Sequence, residues 1–386
     1  MTKVDVVVVG GGLGGLYSAY GLAAAGLSCV VLEATERLGG RILSRPVADT
    51  DPLGVDLGPT WFWPHQRRIQ GLLKALDIPW FEQYVEGDAL YEMEPGMAPQ
   101  RFQGAGAMMA YRVRGGLQRL VDALAAGLGP SCVRPGHPVT TLERRGELWR
   151  IMAGDDAGHA TFEAPHLILA VPPRLLLERL PLAPWLPAGL AERLAATPTW
   201  MAGQAKFVAT YRRPFWRAAG LAGDAFSRVG PLVEIHDASA DREAGPALFG
   251  FVGLPAAARA GHGEEAFKTL CLQQLAGLFG DEALDTVNTY LKDWARDPWV
   301  ATPRDGREPS VHPQLDLGPY RDALAQLRLG FAASEAAPME GGLLEGALGA
   351  AEVAVADVVA HQGTPSLAAS ERPWGGDERP HSDTGS

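Results

Sequence analysis

Residues 4–41 read VDVVVVGGGLGGLYSAYGLAAAGLSCVVLEATERLGGR, and this stretch decides the fold. The apolar run Val4 to Val9 suits a parallel strand buried on both faces. Directly after it, Gly10, Gly12 and Gly15 fall at the spacing of a dinucleotide-binding turn that opens a helix, with Gly14 in the same cradle. Gly10 permits the tight turn, Gly12 lets the backbone approach a pyrophosphate, and Gly15 lets the helix lie close on the sheet. The first turn of that helix offers unpaired N–H groups and the positive end of a dipole to phosphates. Glu33, closing the second strand, is placed to accept hydrogen bonds from a ribose diol. The pattern names a dinucleotide and leaves the reaction open.

At 386 residues the chain exceeds the size at which a single core keeps growing, so two intertwined domains are expected. The net charge of −11, from 45 acidic and 34 basic residues, argues against nucleic acid or an anionic membrane surface as partner, because both reward clustered Lys and Arg. Cys29, Cys132 and Cys271 are widely spaced and form no CxxC, which indicates neither a disulfide framework nor a zinc site. A reducing, cytoplasmic setting fits them. Cys29 on the second strand and Cys271 in the stripe Phe267, Leu270, Cys271, Leu275, Leu278 read as core residues. The nine histidines show no metal-ligand spacing, so no metal is expected. His65, beside Pro64 and Gln66, is the histidine nearest the motifs, and a loop hydrogen bond is its expected role. No basic leader precedes the first strand, and no run of about 18 apolar residues occurs, so neither a secretion signal nor a membrane span is expected. Residues 363–386, polar and rich in Ser, Pro, Gly and Asp, read as a disordered tail.

Along the chain, the loop VDLGPTWFWPHQRRI leads into a short amphipathic helix, and residues 80–112, with Pro95 and Pro99, read as irregular. A helix follows with Leu117, Leu120, Val121, Leu124 and Leu128 on one face. Strands are expected near Val139, at Trp149 to Met152 and at Leu167 to Val171, the last stopped by Pro172 and Pro173. Further strands are expected at Ala205 to Tyr211 and Ala247 to Val252, with a helix over 264–279, and the chain closes on a strand, a turn and a long helix after Leu327. The fold expected is α/β, with a three-layer nucleotide-binding domain made of residues 1–75, 113–175 and 326–362. An α+β substrate domain of residues 76–112 and 176–325 is interleaved with it.

Several further segments carry a family likeness. The glycine pair Gly39-Gly40 with Arg41, the loop Asp56, Gly58, Pro59 with its later Pro64 and Gln66, the pair Gly115-Gly116, and Val139 after Pro138 stand in order. GQAKFVATYRRPFWR then places Lys206 ahead of a tyrosine and a Pro-Phe-Trp-Arg run, and Ala333-Ser334-Glu335 precedes Gly342 and Leu344 at the start of the last helix. Together these resemble the flavin-containing amine oxidase family, the group that includes the monoamine oxidases. The resemblance implies a Rossmann-type domain binding FAD, and since none of the cysteines stands where some relatives tether flavin, non-covalent FAD. It further implies Arg41 near the pyrophosphate, the Val139 backbone at the adenine, Glu335 at the ribityl or pyrophosphate part, and the Leu344 backbone toward the pyrimidine carbonyl. Lys206 takes the role of the lysine that holds a water near flavin N5 and assists the reaction with oxygen. From the chain alone, a surface lysine on an edge strand is the other reading of Lys206.

Departures from the family pattern are informative. Thr35 stands where an arginine is common, and Leu343 where the family supplies one of two tyrosines that sandwich the amine. Trp61, where an active-site aromatic often lies, and Trp63, Trp294 and Trp299 are candidates for a different aromatic wall, with packing as the alternative for each of the ten tryptophans. The expected chemistry is hydride transfer from the carbon next to an amine or amino-acid-like nitrogen to flavin N5, with oxygen reoxidising the flavin to peroxide. Lys206, Trp61 and Trp299 are the expected catalytic-site residues. A desaturase or dehydrogenase acting on a C–C or ring C–N bond, and a flavin-binding partner protein without turnover, are the alternatives that Leu343 keeps open.

Overall fold

A computed structural model describes residues 1–103, 109–155, 158–180 and 182–362. The tail expectation for 363–386 lies outside the described residues. Val6–Val9 forms the centre of a five-stranded parallel sheet, ordered Val133–Arg134, Cys29–Leu32, Val6–Val9, His166–Leu169, Leu329–Phe331. The continuous valine run is explained by what lies on each face. Val6 and Val8 pack with helices Leu13–Ala24 and Leu344–His361, while Val7 and Val9 pack with Trp149, Ile151 and Phe162 of a second sheet. That second sheet has four strands, Thr2–Lys3, Gly158–Ala164, Leu148–Asp155 and Val139–Arg145. Helices, parallel sheet and mixed sheet thus make three layers, a stable way to bury both faces of a sheet. The first strand is shorter than the apolar run: the chain bends at Asp5, whose carboxylate accepts hydrogen bonds from Ser28 N at 2.8 Å and Ser28 Oγ at 2.6 Å.

The other large unit is a seven-stranded sheet, ordered Asn288–Asp293, Ala205–Thr210, Ala247–Val252, Leu232–Asp237, Leu221–Ser227, Asp88–Glu92, Gln100–Gln103. Helix Glu264–Phe279 covers it, burying Phe267, Cys271, Leu275 and Leu278, while Leu270 faces solvent. The described residues of 80–112 are not irregular. Trp80–Glu82 pairs with Tyr111–Val113, and Asp88–Glu92 forms a hairpin with Gln100–Gln103 at the edge of the large sheet. The last strand is exposed at every residue, so it carries no apolar alternation to read, and Pro95 and Pro99 fall in the hairpin connection.

The nucleotide turn is fixed by close backbone approach. A Cβ on Gly15 would lie 1.9 Å from Gly10 O, and one on Gly14 would lie 1.9 Å from Ala332 O, at the end of the sheet's last strand. Neither carbonyl can yield without moving a strand end. Gly14→Ala is therefore expected to lower stability by about 1–3 kcal/mol, the usual range for overpacking, and to reduce bound dinucleotide. A thermal melt and the absorbance of the purified protein check both.

Candidate active site

The glycine turn opens onto a cleft of about 510 Å³, within the usual range for small-molecule sites. Two helix N-termini reach it. Helix Leu13–Ala24 starts at Gly12 and helix Leu344–His361 at Leu343, and neither has a side-chain cap, so their first-turn N–H groups are left for a ligand. A Cβ on Gly12 would meet only Gly39 O, at 3.9 Å, which leaves its face open to a close-lying phosphate. Glu33 lines this end: Oε2 accepts from Gly11 N at 2.7 Å, and Oε1 accepts from Thr35 N and Thr35 Oγ1, each at 2.9 Å. Thr35 thus ties the acidic residue where an arginine is common. Arg37, a lining residue that no motif marked, donates to Ile42 O at 2.7 Å and to Leu38 O and Gly40 O, and so props the second glycine pair.

Arg41 lines the middle of the cleft and is held from behind by Glu335. Its Nη1 and Nη2 donate to the two carboxylate oxygens at 2.6 and 2.9 Å, and Nη2 also donates to Ser334 Oγ at 3.1 Å. Glu335 is fully buried and also accepts from Trp200 N at 3.1 Å and Ser334 Oγ at 2.9 Å. Burial pushes its carboxyl up, but the Arg41 charge and hydrogen bonds outweigh burial and hold it below the usual carboxylate range. Glu335, expected at the ribityl or pyrophosphate part, is not among the lining residues; its side chain lies behind the wall and aims Arg41.

Lys206 is 2 % exposed and lies on a strand with neighbours on both sides, so the edge-strand reading falls. It lines the cleft, donating to Gly58 O at 3.1 Å and to Thr60 Oγ1, with Nζ 3.9 Å from the centre of the Phe249 ring. Burial pushes its ammonium down to about 7, against the pull of Asp56 and with the push of Arg112. Asp56 is buried beneath this loop, accepting from Ser44 Oγ at 2.6 Å and Leu117 N at 2.9 Å. Gly116, with φ of 91°, keeps room for that contact, since a Cβ there would lie 2.6 Å from Ser44 Oγ.

Aromatic residues line the rest. Trp61 donates its indole N–H to Gln83 Oε1 at 2.9 Å, and Trp294 donates to Leu57 O at 3.0 Å. Trp63, Phe251 and Pro59 join them on the lining. Trp299, 37 % exposed, lies at the rim with Arg179 4.9 Å over its ring. Leu343 lines the cleft without a ring, yet an aromatic pair stands nearby: Trp200 stacks on His312 at 3.7 Å, and a Cβ on Gly342 would lie 2.6 Å from the Trp200 ring. Sequence reading missed Trp200 and His312 because neither belongs to a motif.

The cleft therefore gathers Gly10, Gly12, Gly14, Glu33, Gly40, Arg41, Gly58, Pro59, Trp61, Lys206, Trp299 and Leu344 on one wall system. Gly15 is a packing residue beneath it. Val139 is not among the lining residues and starts a strand of the four-stranded sheet. His65 points to Glu340, Nε2 to Oε1 at 2.9 Å, and lies outside the lining.

The sequence matches the family described as Flavin containing amine oxidoreductase over residues 81–359 and the NAD(P)-binding Rossmann-like domain over residues 8–76. It is similar to putrescine oxidase of Kocuria rosea, 26% identical over 90% of this chain and 95% of that one. It is also similar to the flavin-containing amine oxidase B of Sus scrofa, 24% identical over 93% of this chain and 86% of that one. Among solved structures, putrescine oxidase bound to putrescine superposes with a TM-score of 0.76 at 24% identity, covering 93% of this chain and 99% of that one. Cyclohexylamine oxidase from Brevibacterium oxydans gives 0.77 at 18% identity with the same coverage. At these identities the structural likeness establishes the fold.

Proposed function

The chain belongs to the flavin-containing amine oxidoreductase family and is an FAD-dependent oxidoreductase; from that premise we propose that it oxidises a small amine or amino-acid-like substrate at the carbon bonded to nitrogen, with oxygen as final acceptor and peroxide as product. The residues present fit FAD. The uncapped N-terminus of helix Leu13–Ala24, the open face of Gly12 and the guanidinium of Arg41 suit a pyrophosphate, the uncapped N-terminus of helix Leu344–His361 suits the pyrimidine carbonyl, and Glu33 suits a ribose. No cysteine is among the lining residues; Cys29 and Cys132 lie thiol to thiol at 3.5 Å, and Cys271 is buried in helix Glu264–Phe279, so binding is non-covalent. Bound there, FAD supplies a two-electron acceptor for a hydride and passes the electrons to oxygen.

The chain's residues supply the surroundings. Trp61, Phe251 and Leu343 make the wall apolar, which disfavours an ammonium and delivers the amine neutral, with its lone pair free to become the imine bond. The observation that carries the oxidase reading is Lys206, a buried amine held by Gly58 and Thr60 on the same cleft as the glycine turn and a cation below about pH 7. Such a fixed charge stabilises the negative charge that develops on oxygen. No described helix is long and apolar enough to cross a membrane.

Anaerobic titration of the purified flavoprotein with a panel of primary amines, diamines and amino acids tests this. The expected result is bleaching by at least one of them and peroxide release on readmitting air. Leu343 favours one second reading, a desaturase or dehydrogenase acting on a ring C–N or C–C bond. Bleaching by alicyclic or unsaturated substrates alone, with slow return in air, would select it.

A further inference from the structure

We propose that His236 is a positioning residue for the cleft: clamped between Asp224 and Glu234, its ring fixes the indole of Trp61 and so sets the shape of the amine-facing wall. His236 lies behind that wall on strand Leu232–Asp237 and is 8 % exposed. Its Nδ1 is 2.8 Å from Asp224 Oδ1 and its Nε2 is 2.8 Å from Glu234 Oε1. An ionised carboxylate only accepts, so satisfying both contacts requires an N–H on both ring nitrogens, which is the imidazolium. Burial opposes that charge, but the two carboxylates outweigh it and hold the ring above the usual histidine range.

The groups facing the ring are Asp224 from the neighbouring strand, Glu234 from its own, and the rings of Trp61, Phe249 and Phe226. Asp237, one residue on, is turned away to Arg217 and the Trp216 indole, and Lys206 lies against the Phe249 ring. Trp61 meets His236 edge to face, ring centres 5.0 Å apart and planes at 89°. Its second anchor leads to the same strand, because Gln83, which accepts the Trp61 N–H, donates to Asp237 O at 3.0 Å. These two contacts and the Phe249 ring, 5.4 Å from the indole and on the adjacent strand, define the indole's plane, and of the three only the His236 contact depends on a protonation state. Buried hydrogen-bonded groups of this kind specify one side-chain arrangement.

The effect on substrate rests on the amine-oxidising reading given above; the clamp and its hold on Trp61 do not. Nitrogen NMR of labelled histidine should show both His236 nitrogens protonated at pH 7, and a neutral ring at that pH would overturn the clamp. With 5-fluorotryptophan incorporated, the Trp61 fluorine line, identified by its loss in Trp61→Phe, should shift or broaden in His236→Gln. An unchanged line overturns the hold on Trp61. Benzylamine then reads the consequence: His236→Gln should raise the concentration that half-reduces the flavin about three- to tenfold, the factor expected for an aromatic edge contact, with the limiting rate little changed. The same substitution in a Trp61→Phe background should add less than about twofold. Glu234→Gln, which keeps the Asp224 contact, should retain most of the wild-type value. If no amine reduces the flavin, the functional reading fails while the two NMR results still decide this proposal.

Discussion

Lys206→Met is expected to slow the reaction of the reduced protein with oxygen by about 100-fold or more, the scale seen when one preorganised charge or donor is removed from a developing anion. Anaerobic reduction by amine should stay within a few fold, because the substitution keeps the volume of the stem and removes only the ammonium. The split separates a role in the oxygen half-reaction from a general loss of fold. Stability points the same way. Burial pushes the folded-state value down to about 7 from the usual 10.5, so between those limits the unfolded chain binds more protons than the folded one. Stability therefore rises with pH across that window, and the cost of burying the charge is fully present below about pH 7. The Met variant carries no such group, so its melting temperature should not fall at neutral pH, and its stability should lack that rise. In the wild type, the oxygen step should weaken as pH climbs through about 7 and the cation is lost. Stopped-flow reoxidation across pH checks both; an unchanged reoxidation rate in the variant would remove Lys206 from the oxygen half-reaction.

The nucleotide half of the molecule was legible in the sequence because its determinants are local. Four valines in a row report burial on both faces, and Gly10, Gly14 and Gly15 report backbone approaches that no side chain permits. Where a site residue depends on a distant partner, the sequence shows the residue and hides the geometry. Arg41 was marked by the preceding glycine pair, but nothing local says that it forks onto Glu335, nearly three hundred positions later. Lys206 kept a lesser second reading as a surface residue until the strands on either side of it were in place. Trp200 and His312 were invisible for the same reason, since a stack between two loops leaves no period or spacing. The strands within residues 80–112 were missed because they are short and, at the sheet edge, exposed on both faces.

Glu335→Ala should be the most damaging substitution to the fold of the cofactor site. Removing the carboxylate leaves Arg41 without its forked partner and strips acceptors from Ser334 Oγ and Trp200 N at once. Leaving these donors without their acceptor costs about 1–3 kcal/mol, since Arg41 is 24 % exposed on the cleft and keeps part of its solvation. Glu335→Gln is the more discriminating variant: it keeps the shape and an acceptor for Trp200 N and Arg41 Nη1, and loses the charge together with the second oxygen, which an amide NH2 replaces opposite Arg41 Nη2 and Ser334 Oγ. It should fold, melt lower and retain less flavin through purification, with Arg41→Ala giving the same flavin loss. The pH dependence gives a second reading. The folded-state value of Glu335 lies below its usual one, so its contribution is present above about pH 4.5 and is lost as pH falls through that lower folded value. Flavin release on acidification should therefore be steep in the wild type and shallower in Glu335→Gln, where this group no longer titrates. Retention of flavin by Glu335→Gln at the wild-type level, at neutral and acid pH alike, would show that Arg41 keeps its place without a charged partner. In that event Ser334 Oγ and Trp200 O, which accept from the same guanidinium at 3.1 and 3.2 Å, suffice to aim it.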